Sequence, residues 1–309
     1  MANYSSLNES DIKFILNEYN LNSIQFFKVL EGGLENSNYF LKSDNLFYVL
    51  TICEQKSYQN VLELSKLLDY LKHNDFYTSE IIRTKEGEPI FIWNKKPIMI
   101  KKFIEGKTVK NFSESILKLI GKQIAKLHII KPPSYLPNQL NYGEEKFEIL
   151  NKYSKKSDFQ IWLNDKMEYV RPFMKKGLTK SFIHSDIFYD NIIVRNNNKS
   201  VVIMDFEESA FYFRVFDIGM AIIGVCREND TIDANKVRSL LKGYSTIISL
   251  SENEKNSIKA FTVYAGTSMS FWRFHNFNHI KPEPLMFDHY IELKKLTDYI
   301  QDLSEEIFR

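Results

Sequence analysis

The sequence predicts an α+β protein in two lobes, a small antiparallel-sheet lobe over residues 1–103 and a larger, mainly helical lobe over 104–309. Three observations predict it. Short aromatic and β-branched runs separated by turn signals crowd the first hundred or so positions. Beyond Gly106 the apolar residues recur at helical spacing over long segments. A chain of 309 residues is also long for one core and comfortable for two.

Taken in order, Ile12, Phe14, Ile15 and Tyr19 mark a helix over 11–19, with Ser10 placed to cap it. Ile24 to Leu30, Asn38 to Leu41 and Phe47 to Ile52 read as an antiparallel meander broken at Gly32-Gly33 and at Ser43-Asp44-Asn45. Val61, Leu62, Leu64, Leu67, Leu68 and Leu71 form the apolar stripe of a helix over 59–74 that packs on that sheet. Strands over 80–83 and 90–93 flank the turn Glu86-Gly87-Glu88-Pro89, and a last strand runs from Pro97 to Ile104. Helices are expected over 113–128, 159–174, 236–248, 252–274 and 288–308. Between the second and third of these, Ile192 to Val194 and Val201 to Met204 read as a hairpin around the polar loop Asn196 to Asn198.

Composition narrows the function classes. Hydrophobic content of 44% and charged content of 26% are ordinary globular values that argue against disorder or a fibrous repeat. A net charge of +2 with no basic block argues against nucleic acid as a partner. Cys53 and Cys226 stand far apart with no zinc-like or disulfide-like spacing, which suits a reducing, cytoplasmic setting. No leader pattern and no long apolar window appear, so neither secretion nor a membrane partner is expected.

The chemistry is concentrated in Phe182 to Phe206. His184, Asp186 and Asn191 form the pattern H-x-D-x-x-x-x-N, and the apolar run Val201 to Met204 delivers Asp205 at a strand end. Phosphoryl transfer asks little covalent chemistry of a protein; it needs an oriented acceptor hydroxyl and neutralised phosphate charge. Asp186 is the residue type to accept the hydroxyl proton. Mg²⁺ prefers oxygen donors and keeps several waters, so Asn191 and Asp205 can suffice beside nucleotide phosphates. Asp and Asn are also common turn residues, and the strand-end placement of Asp205 is what favours the catalytic reading.

With these motifs the chain resembles the aminoglycoside phosphotransferase and choline kinase superfamily, and within it the type II homoserine kinases. The resemblance covers most of the chain. It rests on the H-x-D-x-x-x-x-N and Asp205 elements, on Glu31-Gly32-Gly33-Leu34-Glu35-Asn36-Ser37-Asn38-Tyr39-Phe40, and on Ile120 to His128, similar to the family's L-G-x-x-L-A-x-L-H helix. It implies a bilobal, protein-kinase-like fold, and an ATP- and Mg²⁺-dependent kinase with a small-molecule hydroxyl substrate. It further implies cytoplasmic threonine biosynthesis, as a monomer or homodimer.

By the same resemblance Gly32, Gly33, Asn36, Ser37 and Asn38 would meet ATP phosphates, though a G-G pair between strands is by itself equally a plain hairpin turn. Lys101, Lys102, Phe103 and Ile104 would lead past adenine. Asp217, in a D-[LI]-[AG] element, would brace the catalytic loop, and Glu207 would approach the second metal and the acceptor.

One departure stands out. Where the wider family carries a phosphate-neutralising lysine this chain has Thr51, which supplies no charge; Lys56 is the nearest substitute, with Glu63 placed to orient it. For the acceptor, Arg273 is the candidate to grip a carboxylate, beside Trp272, in a helix resembling the R-F-W-x-x-R element of homoserine kinases but lacking its first arginine. Aminoglycosides fit poorly, because 152–180 is lysine-rich and has no acidic cluster. Methylthioribose, and choline or ethanolamine caged by Tyr264, Trp272 and Phe277, are the enzymatic alternatives. A non-catalytic nucleotide-binding module is disfavoured by the presence of Asp186, Asn191 and Asp205 together.

Overall fold

The structure, a computed structural model, describes residues 5–21, 24–30, 36–153, 157–174, 177–195 and 197–309. The chain divides into two units, Met1–Glu105 and Gly106–Arg309.

The first unit opens on α1 (Glu9–Glu18), and its cap is Asn8 rather than the expected Ser10. The Asn8 side chain accepts Asp11 N at 2.9 Å while the Asp11 carboxylate accepts Asn8 N at 3.0 Å, a reciprocal box that starts the helix earlier. β1 (Ile24–Leu30), β2 (Asn36–Ser43) and β3 (Leu46–Cys53) follow, then α2 (Tyr58–His73), β4 (Ile81–Ile82), β5 (Phe91–Trp93) and β6 (Lys96–Lys102). All pairings are antiparallel, in the order β1-β2-β3-β6-β4 with β5 also on β6. Asp44 and Asn45 both take positive φ, the backbone that a two-residue hairpin between β2 and β3 demands. Strand alternation then divides the side chains. Leu41, Leu50, Ile52, Ile98 and Ile100 bury against Ile12, Ile15 and Leu16 of α1, whereas Cys53 and Met99 pack with Val61 of α2.

The second unit carries α3 (Glu114–His128), α4 (Glu144–Phe147) and α5 (Asp158–Met174), then the strands β7 (Lys180–Ile183), β8 (Ile192–Arg195), β9 (Ser200–Ile203) and β10 (Ala210–Phe213). After them come α6 (Arg214–Val225), β11 (Arg227–Glu228), β12 (Thr231–Ile232), α7 (Ala234–Tyr244), α8 (Glu252–Lys255), α9 (Ile258–His275) and α10 (His289–Asp302). α3 packs on α7, and α9 lies between α6 and α10.

Several expected helices end differently. The helix read over 252–274 splits in two: a Ser251–Glu254 box starts α8, and Ser257 Oγ donates back to Asn253 O at 2.6 Å where α8 gives way to α9. The helix read to residue 308 stops at Asp302, because Leu303 is extended and Ser304 caps a separate 3₁₀ turn. Asp233 starts α7 before Lys236 by accepting Asn235 N and Lys236 N.

Two of the glycines that make close approaches in this unit bear on the segment from β7 to β9. Gly106 has φ +152°, and a Cβ there would lie 2.4 Å from Ile193 Cγ2, so only glycine lets the chain pass the β8–β9 hairpin. Gly224 of α6 faces the segment after β7, where a Cβ would fall 2.0 Å from Ile187 O.

Candidate active site

The site is built from the backbone between β7 and β9. β7, paired with β10, ends at Ile183 and releases His184-Ser185-Asp186; a 3₁₀ turn over Tyr189–Asn191 then feeds the β8–β9 hairpin. Ser185 and Asp205 both have positive φ, +66° and +65°, without being glycine. Such backbone costs of order 1–3 kcal/mol per residue and persists only where its surroundings enforce it.

The surroundings here are specific. Asp217, fully buried in the first turn of α6, accepts His184 N at 3.0 Å and Ser185 N at 2.6 Å, and is bonded to His128 Nε2 at 3.0 Å. Burial alone would raise its pKa; the His128 bond and charge, with His184, outweigh that and hold it below the usual carboxylate range. Phe213 precedes α6 as its cap, which leaves the Asp217 carboxylate in the first turn to brace the His184–Asp186 segment, as expected. Tyr142 Oη donates to Ser185 O at 2.5 Å, and Ser185 Oγ donates to Glu208 O at 2.5 Å. His184 accepts Asp186 N at Nδ1 (3.2 Å), which leaves Nε2 to donate to Met204 O at 2.7 Å; burial lowers its pKa and keeps it neutral.

These restraints converge on three side chains. Asn191 Nδ2 donates to Asp186 O at 2.9 Å and to Asp186 Oδ2 at 3.0 Å, while Met204 N donates to Asn191 O at 2.9 Å and so fixes Asp205 beside it. Asp186 keeps a partly exposed edge. Burial and the neighbouring carboxylates of Asp205, Glu208 and Asp190 push its pKa up to about 8. Negative charge accumulates here, and the donors are hard oxygens, a combination that fits a divalent cation. Glu207 lies in the 3₁₀ turn after Asp205 and is half-buried.

The other predicted residues fall at several places. Gly32 and Gly33 lie outside the described residues. In the first unit, Asn36 opens β2, Ser37 Oγ donates to Glu54 Oε1 at 2.5 Å, and Asn38 Oδ1 accepts Thr51 Oγ1 at 2.8 Å. Lys56 and Lys101 both lie near enough to bias the Cys53 thiol, whose pKa burial raises. Glu63 accepts Gln59 Nε2 at 2.8 Å along α2. Lys101 is flanked by Val49 and Ile81 on the neighbouring strands, Lys102 N donates to Glu80 O at 2.8 Å, and Phe103 N donates to Phe47 O at 3.0 Å. Ile104 is buried.

In the second unit a pocket of about 450 Å³ opens against Phe188 and Tyr189, immediately after Asp186, and Arg273 lines it together with Lys110, Arg227 and Glu292. Trp272 packs edge-on against Phe277 at 5.7 Å. Tyr264 is fully buried, its hydroxyl accepting Glu144 N at 3.0 Å, so it cannot join them in an aromatic cage around an ammonium group. Sequence reading missed Tyr142, Arg227 and Glu292, which come to the site only through tertiary contacts, and passed over Glu208, which follows Glu207 in the 3₁₀ turn after Asp205.

The family model for the phosphotransferase enzyme family matches residues 27–247. A homoserine kinase of Methylobacillus flagellatus is 24% identical over 278 residues, spanning 88% of this chain and 86% of that protein. Among solved structures, a microcompartment-associated aminopropanol kinase is similar with a TM-score of 0.72 at 13% identity, covering 98% of this chain and 99% of that one. An amicoumacin kinase in complex with AMP-PNP, Ca²⁺ and Ami has a TM-score of 0.71 at 16% identity, with 96% of each chain covered. The kinase-like fold implied by the sequence is thus the observed one, and the chain belongs to the phosphotransferase enzyme family.

Proposed function

We propose that this kinase uses ATP and Mg²⁺ to phosphorylate a small-molecule hydroxyl by direct in-line transfer, with homoserine as the acceptor. One observation carries the reading: Asn191 ties down the Asp186 carboxylate while its own backbone carbonyl holds Met204, and with it Asp205, alongside. In this reading Asp186 orients the acceptor hydroxyl and takes its proton. Asn191 directs Asp186 through Nδ2 and offers its amide oxygen, with the Asp205 carboxylate, to the metal. Bound there, Mg²⁺ would neutralise the charge on the phosphate oxygens during transfer.

The nucleotide is assigned to the first unit, its phosphates to the segment from Gly32 to Asn38 with Lys56. Because the N–H groups of Lys102 and Phe103 are bonded within the sheet region, their carbonyls and Ile104 N are the groups assigned to adenine. The homoserine assignment draws support from the relatives named for that activity and from the guanidinium of Arg273 near the catalytic segment. The buried Tyr264 counts against choline.

The test is Mg-ATP turnover, followed by coupled ADP release, against L-homoserine, choline, methylthioribose and kanamycin in parallel. Selective turnover of homoserine is expected. Turnover of another acceptor alone would discard the substrate and keep the kinase.

A further inference from the structure

The pocket beside the catalytic segment contains a charge arrangement that no motif announces. Arg227, from β11, and Arg273, from α9, both reach Glu292 of α10, through Arg227 Nη2 to Oε1 at 2.5 Å and Arg273 Nη1 to Oε2 at 3.2 Å. Arg273 Nη1 also donates to His289 O at 3.2 Å. Both guanidiniums are largely buried, with side-chain exposures of 20% and 13%. A guanidinium presents five N–H donors in a planar fork, so each of these can hold Glu292 and a second acceptor at once.

Within the pocket two arginines against one glutamate leave a net positive charge, and Lys110 adds to it; the other acids are Glu228, mostly exposed and 3.8 Å from Lys236, and Asp230, 3.9 Å from Arg227 but 95% exposed, where solvent screens them. Buried charge is costly unless it is paired, and a single carboxylate entering from the pocket would complete the balance. Phe188, two residues after Asp186, lines the pocket together with Arg273, which puts the guanidinium beside the segment assigned to the reacting hydroxyl.

We propose that Arg227 and Arg273, held in place by Glu292, form the seat for a carboxylate of the acceptor, so that the enzyme selects hydroxy acids over amino alcohols and polyamines. This rests on the kinase reading of Asp186 but not on homoserine itself: any small hydroxy acid of suitable length satisfies it. Arg227 and Arg273 are binding residues, and Glu292 is a positioning residue that fixes the two forks. A mere structural brace joining β11, α9 and α10 would make the same ion pairs, and differs in leaving acceptor affinity independent of Arg227.

The experiment measures acceptor and ATP KM for the wild type, R227A and R227K with L-homoserine, 4-hydroxybutanoate, choline, and 2-aminobutane-1,4-diol, the homoserine analogue whose carboxylate is reduced. Calorimetric binding of the two acids to the Mg-ADP complex runs alongside, and urea midpoints show that the variants are folded. R227A is expected to raise the KM of a carboxylate-bearing acceptor roughly 30-fold or more, with R227K recovering part of the loss and the ATP KM holding steady. The diol should be a poor acceptor that R227A does not worsen. The proposal is overturned if folded R227A binds the acids as the wild type does, if the wild type prefers the diol or choline to both acids, or if neither acid binds. Turnover of 4-hydroxybutanoate but not homoserine, with R227A impaired, would discard homoserine and support the carboxylate seat.

Discussion

Asp186 shows how little a single side chain can do without its neighbours. Its carboxylate is aimed by Asn191, its backbone N–H rests on His184, and two further acids, Asp205 and Glu208, crowd it. Replacement by asparagine keeps the shape and removes the group whose ionisation burial and that crowd oppose, so D186N should fold at least as well as the wild type in the absence of metal. Turnover should fall by roughly 10²–10⁴-fold, the usual contribution of a positioned general base, while nucleotide affinity is retained. Single-turnover kinetics with nucleotide binding measured in parallel checks this; a mild loss of turnover removes Asp186 from the role of base. These residues were legible in the sequence because His184, Asp186, Asn191 and Asp205 lie on one short stretch whose spacing the β8–β9 hairpin preserves. Arg227 and Glu292 were not, since 65 positions separate them and only the packing of α10 brings them together.

Elements were legible where they present one apolar face and obscure where they present two. α2 and α3 carry stripes and were read nearly to their ends, whereas α6 is buried around nearly its whole circumference, so no helical stripe marks it. Caps were misread where a side chain two residues away competes, as Asn8 does with Ser10. The buried position of α6 yields two predictions. G224A would place a methyl against Ile187 O and Phe188 Cα, so turnover should drop through displacement of the catalytic segment, with a loss of stability of roughly 1–3 kcal/mol from overpacking; normal kcat and urea midpoint would show that α6 does not set that segment.

The second prediction concerns Arg214, which starts α6 and donates through Nε and Nη2 to Glu254 at 2.6 and 2.7 Å. Burial works against the Glu254 carboxylate, yet the Arg214 bonds and charge hold its pKa below the usual value of 4.5. The ion pair therefore stabilises the fold above about pH 4.5 and is lost as pH falls through the lowered folded-state pKa. E254Q should cost about 3–5 kcal/mol at neutral pH, the expected penalty for leaving a buried partner unpaired, and should flatten the fall in urea midpoint below pH 4.5. An unchanged acid limb in E254Q would assign the loss to other carboxylates, with Asp217 the foremost.

At the scale of the whole molecule, the division into a sheet-rich first part and a helical second part was legible because the apolar period itself changes, a signal that survives errors at every individual boundary. The pocket beside Asp186 was legible only at Arg273, because a net charge of +2 averages over the acids around Asp186 and the pocket's arginines, and Arg227 and Glu292 join Arg273 only on folding. That local acidity also bears on global stability. Crowded carboxylates are repulsive in the free protein, and a ligand that brings a divalent cation binds the folded chain alone, so it should shift the entire unfolding equilibrium. Mg-ATP at a hundred times its Kd should raise stability by about 2.7 kcal/mol, and chelation by EDTA should reverse most of the gain. D205N should lose the magnesium-dependent part of that shift while still responding to ATP, since the phosphates and adenine are assigned to the other unit. Urea denaturation with and without Mg²⁺ decides the matter: equal magnesium responses in the wild type and D205N would mean that the cation is held elsewhere, and the roles given to Asn191 and Asp205 would fall with it.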